Sequence, residues 1–256
     1  MQKRLFLSII LTFLTLSNAV GQIIIEEKPI EDKPEPKIID KANRASDRDV
    51  DSVTRLYFNS NWSSTFRELK PNGDLFGEEL GTRADETRAN FWSFGFGLRN
   101  KLSKHFQLEV GLGVSRNGEK YNFEGQDTNF SYTTKYNYIT MPIIAYYTYG
   151  EEIRFVAGAG IMPGLFMSEV QNQEWLTTKN APGKKEIKTK GGSQAHATAV
   201  SSALFRIGVE LMYSRFWSLY FIPEYRIQLS NTYSKTSDYI HKANAFGFNL
   251  GLTYQL

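Results

Sequence analysis

Cysteine is missing from all 256 residues. Its absence excludes disulfides and thiolate metal sites, and leaves no cysteine to carry a lipoprotein anchor. A marked charge excess is also missing. The 30 Lys and Arg against 27 Asp and Glu leave a formal net charge of +3, so nucleic acid is not an expected partner. Histidine is scarce, at 3 residues, and nothing has the spacing of a metal-ligand cluster. No G-x-S-x-G nucleophile elbow occurs. Gly158 and Gly160 sit in a strand-like run without the third glycine or the helix of a phosphate loop. Past the N-terminus, no stretch approaches the ~20 apolar residues of a membrane-spanning helix. If the mature chain enters a membrane, it must do so as a closed barrel, because lipid cannot satisfy open strand edges.

What is present starts with residues 1–21, which have the parts of a secretory signal. Lys3 and Arg4 form the basic start. Residues 5–16 are a short apolar run broken by Ser8, Thr12 and Thr15, and Ala19 and Gly21 offer small residues for cleavage before Gln22. Residues 22–51 change character. Ile23, Ile24 and Ile25 lead into EEKPIEDKPEPK and then DKANRASDRDVD, where both signs of charge mix with Pro29, Pro34 and Pro36. Such a segment buries too little apolar surface to fold alone, and a flexible charged periplasmic spacer is predicted. A docking tail for a partner is the sharper alternative.

Residues 52–256 carry eight segments of period two, the signature of strands with one apolar face. The clearest is the last, FGFNLGLTYQL over residues 246–256. The others lie at residues 55–66, 91–102, 105–115, 136–147, 153–167, 199–213 and 217–229. The fourth of the eight, residues 136–147, is apolar on both sides. These runs match the ~9–11 residues that cross a bilayer at a tilt. Connections alternate between short turns at residues 100–104, 148–152 and 214–216 and long polar stretches at 68–90, 116–135, 168–198 and 230–243. The pattern predicts an all-β, eight-stranded antiparallel transmembrane β-barrel of outer-membrane type, with tight periplasmic turns, long outer loops and periplasmic termini.

The phase of each strand divides its residues between the two faces. Phe94, Phe96, Leu108, Val110, Phe221, Phe248 and Leu250 are predicted to face lipid. Tyr147, Tyr149, Tyr213, Phe216, Trp217 and Tyr254 gather at the short-turn end, where an interfacial aromatic girdle belongs. The opposite phase carries charge inward: Arg55, Arg99, Glu109, Arg154, Arg206, Glu210, Glu224 and Arg226. A turn centred near Arg215 sets Arg206 across from Glu224, and a buried charge requires such a partner. Eight strands leave an interior just wide enough for side chains to fill. A filled, salt-bridged lumen is therefore expected; an ion path along the same charges is the alternative.

Catalytic readings start from the histidines. His105 falls at a short turn. His196 follows Ser193, and His241 lies near Ser237 and Asp238, so a Ser–His pair at the outer rim is conceivable. Serines and acids are common in such loops, and the expectation is no catalytic site, no metal and no cofactor. Lys184, Lys185, Lys188 and Lys190 form a basic stretch read as a solvated loop tip that can touch anionic lipopolysaccharide.

With these residues on the page, the chain resembles the PorT-like small outer-membrane β-barrel proteins of Bacteroidetes. The resemblance rests on the signal ending near AVGQ, the charged spacer, and the GLTYQL end. It also rests on the strand YNYITMPIIAYY with Pro142 at its middle, facing the lumen, and on the glycine-rich strand IRFVAGAGIMPGLFMS. Thr140 stands where a carboxylate is expected, and Leu256 replaces a terminal aromatic. The resemblance implies fold and a cell outer-membrane location, and for one class of members a part in type IX protein secretion. The expected function is a non-enzymatic barrel acting through its outer loops and spacer, with lipopolysaccharide and an envelope or secretion-machinery protein as partners. A narrow channel and a lipid-modifying enzyme are the alternatives.

Overall fold

Alternation of apolar and polar side chains favours strands whose two faces meet different surroundings, and the chain forms them almost throughout. The computed structural model describes residues 53–71, 86–125, 128–177, 180–237 and 239–256. The predicted signal and the predicted spacer both lie outside the described residues. Ten strands follow in order: β1 (Thr54–Pro71), β2 (Glu86–Lys101), β3 (Phe106–Glu124), β4 (Thr128–Thr140), β5 (Ile143–Tyr149), β6 (Ile153–Thr177), β7 (Asn180–Lys190), β8 (Ala199–Met212), β9 (Trp217–Gln228) and β10 (Tyr239–Gln255). Every pairing is antiparallel.

The ladder closes on itself. β1 pairs with both β2 and β10, and β2 pairs with β3. β4 and β5 each pair with β3 on one side and β6 on the other, so they are halves of one wall strand. The interruption falls at Met141 and Pro142, where proline has no N–H to donate. The wall stays tied there, because Gly111 donates to the Pro142 carbonyl at 3.1 Å and Met141 donates to the Pro163 carbonyl at 2.9 Å. β7 pairs with β6 alone and lies outside the ring. The ring is therefore an eight-stranded antiparallel barrel.

Its faces are inverted relative to a water-soluble barrel. Outward side chains form an apolar belt that includes Phe94, Phe96, Phe205, Ile207, Phe221 and Leu250, and Ile207 is 73% exposed. Leu108, Val110 and Phe248 belong to the same outward phase and are half-buried by their neighbours. Phe248 stacks between Trp62 and Phe221, at centroid separations of 6.4 and 5.6 Å. Tyr147, Tyr149, Tyr213, Phe216, Trp217 and Tyr254 ring the short-turn edge of the belt, all of them exposed. At the other edge Trp62 and Trp92 stand paired in the β1–β2 register.

The long connections need correction. Residues 116–135 and 168–198 are largely wall and hairpin rather than loop. β3 runs on to Glu124 against β4, and Tyr121 stacks on Tyr132 at 5.1 Å. The lysine-rich stretch is β7, and Lys184 pairs with its register neighbour Glu174 at 2.7 Å. The reason is physical. Past the belt the outward positions turn polar, as at Arg116 and Lys120. The hydrophobic alternation fades there while the backbone ladder continues.

Candidate functional site

The inward phase of the eight wall strands packs three kinds of layer. The central one is an ionic cluster. Arg99 from β2 donates Nε and Nη2 to Glu109 Oε2, at 3.1 and 2.7 Å. Arg206 from β8 donates Nη1 to Glu109 Oε1 at 2.9 Å and Nε to Glu224 Oε2 at 2.7 Å. Arg206 and Glu224 are register neighbours, whereas β8 and β3 face each other across the bore. The Arg99 guanidinium lies against the rings of Tyr146, Tyr220 and Tyr57, at 4.9, 5.0 and 5.9 Å. Arg55 reaches Glu210 at 3.4 Å, again across the bore, and Ser218 also donates to that carboxylate. Asn249 donates to Glu224 and accepts from Asn59, both at 3.1 Å.

Room for this cluster comes from glycine. Gly97 and Gly111 face each other in the β2–β3 ladder. A Cβ at Gly111 would collide with the Tyr57 hydroxyl. Tyr57 can therefore lie flat over that wall and reach the centre of the bore. Beside the cluster sits an apolar layer of Ile144, Val156, Met162, Leu204 and Ile222.

Two arginines of the expected charge network make no direct ion pair among the described residues, yet each lies within electrostatic reach of a network carboxylate, Arg226 of Glu224 and Arg154 of Glu210. Arg226 donates Nη1 to Ser115 Oγ at 2.7 Å and Nη2 to Asn117, both on the opposite strand β3. Among the described residues, Arg154 makes no hydrogen bond to a cluster carboxylate. It lines the short-turn mouth and donates Nε to the Glu151 carbonyl at 3.2 Å. Alternation assigns a residue to the inner face, but not to a depth along the bore.

A second polar cluster closes the long-connection end. Glu119 meets His241 at 3.4 Å, Arg67 at 3.8 Å and the Tyr136 hydroxyl at 3.2 Å. Arg67 also pairs with Glu86. His196 lies flat on Phe166, with centroids 4.5 Å apart, and reaches Glu169 at 3.2 Å. Tyr136 and Tyr233 stand between the two histidine rings, with their hydroxyls 3.4 Å apart. Burial pushes the Tyr233 hydroxyl above its ordinary range. The two histidines face carboxylates, and among the described residues no ring nitrogen of either has a serine hydroxyl as hydrogen-bond partner. The conceivable Ser193–His196 pair is a backbone contact instead, from the His196 N–H to the Ser193 carbonyl. His105 stays at its short turn, stacked near Tyr147 and Tyr149. Above the cluster an outer cavity of about 630 Å³ is lined by Tyr132, Tyr233 and Tyr239 with small polar side chains.

Sequence reasoning missed the outer cluster because its members are scattered along the chain from Arg67 to His241. It also gave the inner tyrosines no role in the lumen. Their signal was available: Tyr57 and Tyr220 occupy the polar phase of their strands, between outward Leu56 and Phe58 and between Leu219 and Phe221.

No protein-family model and no curated protein sequence matches the chain. Solved structures do. The chain is similar to Neisserial surface protein A, at 9% identity and a TM-score of 0.40 over 79% of this chain and 97% of that one. It is similar to the outer membrane protein OprG from Pseudomonas aeruginosa, at 8% identity and a TM-score of 0.39, covering 80% and 96% of the two chains. It is also similar to the outer membrane protein AlkL, at 15% identity and a TM-score of 0.39, covering 91% and 97%.

Proposed function

We propose that the chain is a non-enzymatic outer-membrane β-barrel. In this reading its bore is a structural core, and its contacts with other molecules are made at its ends. The observation that carries this reading is the set of side chains that cross the bore. Arg206 to Glu109, Arg226 to Ser115, and Arg55 to Glu210 each join strands on opposing walls. A lumen spanned by side chains at three levels favours the filled core over the channel alternative. The exposed belt supports membrane insertion, since an open apolar surface of this extent would aggregate in water. Short turns and the ends of β1 and β10 share one edge, which supports periplasmic termini after signal-directed export.

The contact surface in this reading is the polar wall beyond Trp62 and Trp92, with the β6–β7 hairpin. Its partner is an envelope or secretion-machinery protein, with lipopolysaccharide beside it. The lumen-facing Pro142 and the glycine-rich β6 support membership of the PorT-like group. The test replaces residues 172–186 by an Asn-Gly turn, which shortens the hairpin without touching Glu169 or His196. The variant should fractionate with the outer membrane and fold, yet lose the cross-linked species formed by the full chain in native membranes. An unchanged cross-linking pattern would remove the hairpin from the contact surface.

A further inference from the structure

At the short-turn mouth the charges cease to balance. A cavity of about 680 Å³ opens there, and six cationic side chains line it: Arg55, Arg99, Lys101, Lys104, Arg154 and Arg215. Glu151 is the one carboxylate among its described lining residues. The nearest buried acid, Glu210, already serves Arg55 at 3.4 Å, Arg99 at 3.8 Å and the Ser218 hydroxyl. Among the described residues, Lys101, Lys104, Arg154 and Arg215 make no ion pair. Arg99 Nη1 is buried without a hydrogen-bond partner. Arg154 uses Nε on the Glu151 carbonyl and keeps the rest of its fork. Gln107, Thr148 and Gln255 add neutral polar groups to the lining.

Like charges crowded in a concave site with low-dielectric walls repel one another and focus a positive potential into it. Such a site is relieved by an anion, and arginine forks suit the paired oxygens of phosphate groups. The volume lies within the ~300–1,000 Å³ of small-ligand sites. We propose that this vestibule binds a multiply charged oxyanion of the phosphate class. Two sources present that chemistry at this edge of the belt: the headgroup of an anionic phospholipid, and a free phosphorylated solute. The assignment does not depend on the outer contact surface, which lies at the opposite end of the barrel.

The test is calorimetric titration of pyrophosphate into the full chain, folded in phosphatidylcholine nanodiscs at low salt. Saturable binding is expected. Arg154→Gln combined with Lys104→Gln should weaken it about tenfold or more, since two charged donors are lost from the lining. Among the described residues neither hydrogen-bonds to a carboxylate of the ionic cluster, so heat-modifiable gel mobility should be retained. Arg215→Gln, on an exposed turn, supplies a second variant that should shift binding in the same direction if the double variant folds poorly. Repeating the titration with phosphatidylglycerol in the disc separates the sources. Suppressed pyrophosphate binding assigns the site to the headgroup, and unchanged binding assigns it to a free solute. No saturable binding in phosphatidylcholine discs, or equal binding by the folded variants, would overturn the proposal.

Discussion

Glu109→Gln should be the most damaging isosteric change in the bore. The Glu109 carboxylate is fully buried and accepts three charge-assisted hydrogen bonds, two from Arg99 and one from Arg206. The amide keeps the shape but removes the negative charge, and it points an N–H at one of the two guanidinium groups. Removing one partner of a buried ion pair costs about 3–5 kcal/mol, because the remaining charge is left uncompensated. For a denaturant slope of about 2 kcal/mol per molar urea, the unfolding midpoint should fall by roughly 2 M. Glu224→Gln provides the graded control. That carboxylate is bonded to one arginine, Arg206, and to Asn249, so its loss should be smaller. The assay is urea titration in lipid vesicles, scored by the gel mobility of the folded and unfolded forms. A Glu109→Gln midpoint within the error of wild type would refute the claim that this cluster holds the barrel. So would a Glu224→Gln loss larger than that of Glu109→Gln.

Three other outcomes are expected. Phe248→Arg should lose about 2–4 kcal/mol in vesicles, because its side chain stands in the apolar belt, whereas Phe248→Leu should stay within about 1.5 kcal/mol by the same urea assay. Gly111→Ala should destabilise the barrel by about 1–3 kcal/mol through overpacking against Tyr57; Tyr57→Phe in the same background should recover part of that loss in a double-mutant cycle. His196→Ala removes the ring stacked on Phe166 and the contact with Glu169. Amide exchange should rise over residues 193–197 and 231–234 while the ionic cluster stays protected, and unchanged exchange there would show that the ring does not pin those segments.

The legible part of this fold follows from period two. Wherever one face meets an apolar surrounding, the alternation names the face of each residue, as it does for Phe248 and Asn249. A short turn then fixes the register, and register fixes the cross-strand neighbour, so Arg206 and Glu224 can be placed opposite each other from sequence. The partner across the bore is a different matter. Nothing near residue 206 points to Glu109, because that contact depends on barrel diameter and strand stagger rather than on local spacing. Depth is hidden for the same reason, as Arg154 at the mouth and Arg226 beside Ser115 and Asn117 show. The wall beyond the belt was unreadable because water wets its outer face and the hydrophobic signal disappears at Arg116. His196 in a long connection and His241 at the start of the last strand carry no sequence signal that joins them, and only the closed ring brings them to Tyr136 and Tyr233.

The central claim is that the bore is a solid, ion-paired core. Its most direct test is the current through purified, refolded protein in a planar lipid bilayer bathed in molar potassium chloride. The account predicts protein insertion, verified by heat-modifiable mobility, without unitary conductance steps from the wild type or from Glu224→Gln. Reproducible steps from the wild-type barrel would contradict it, since the proposed core of Arg206, Glu109, Arg99 and their tyrosines leaves no path for current.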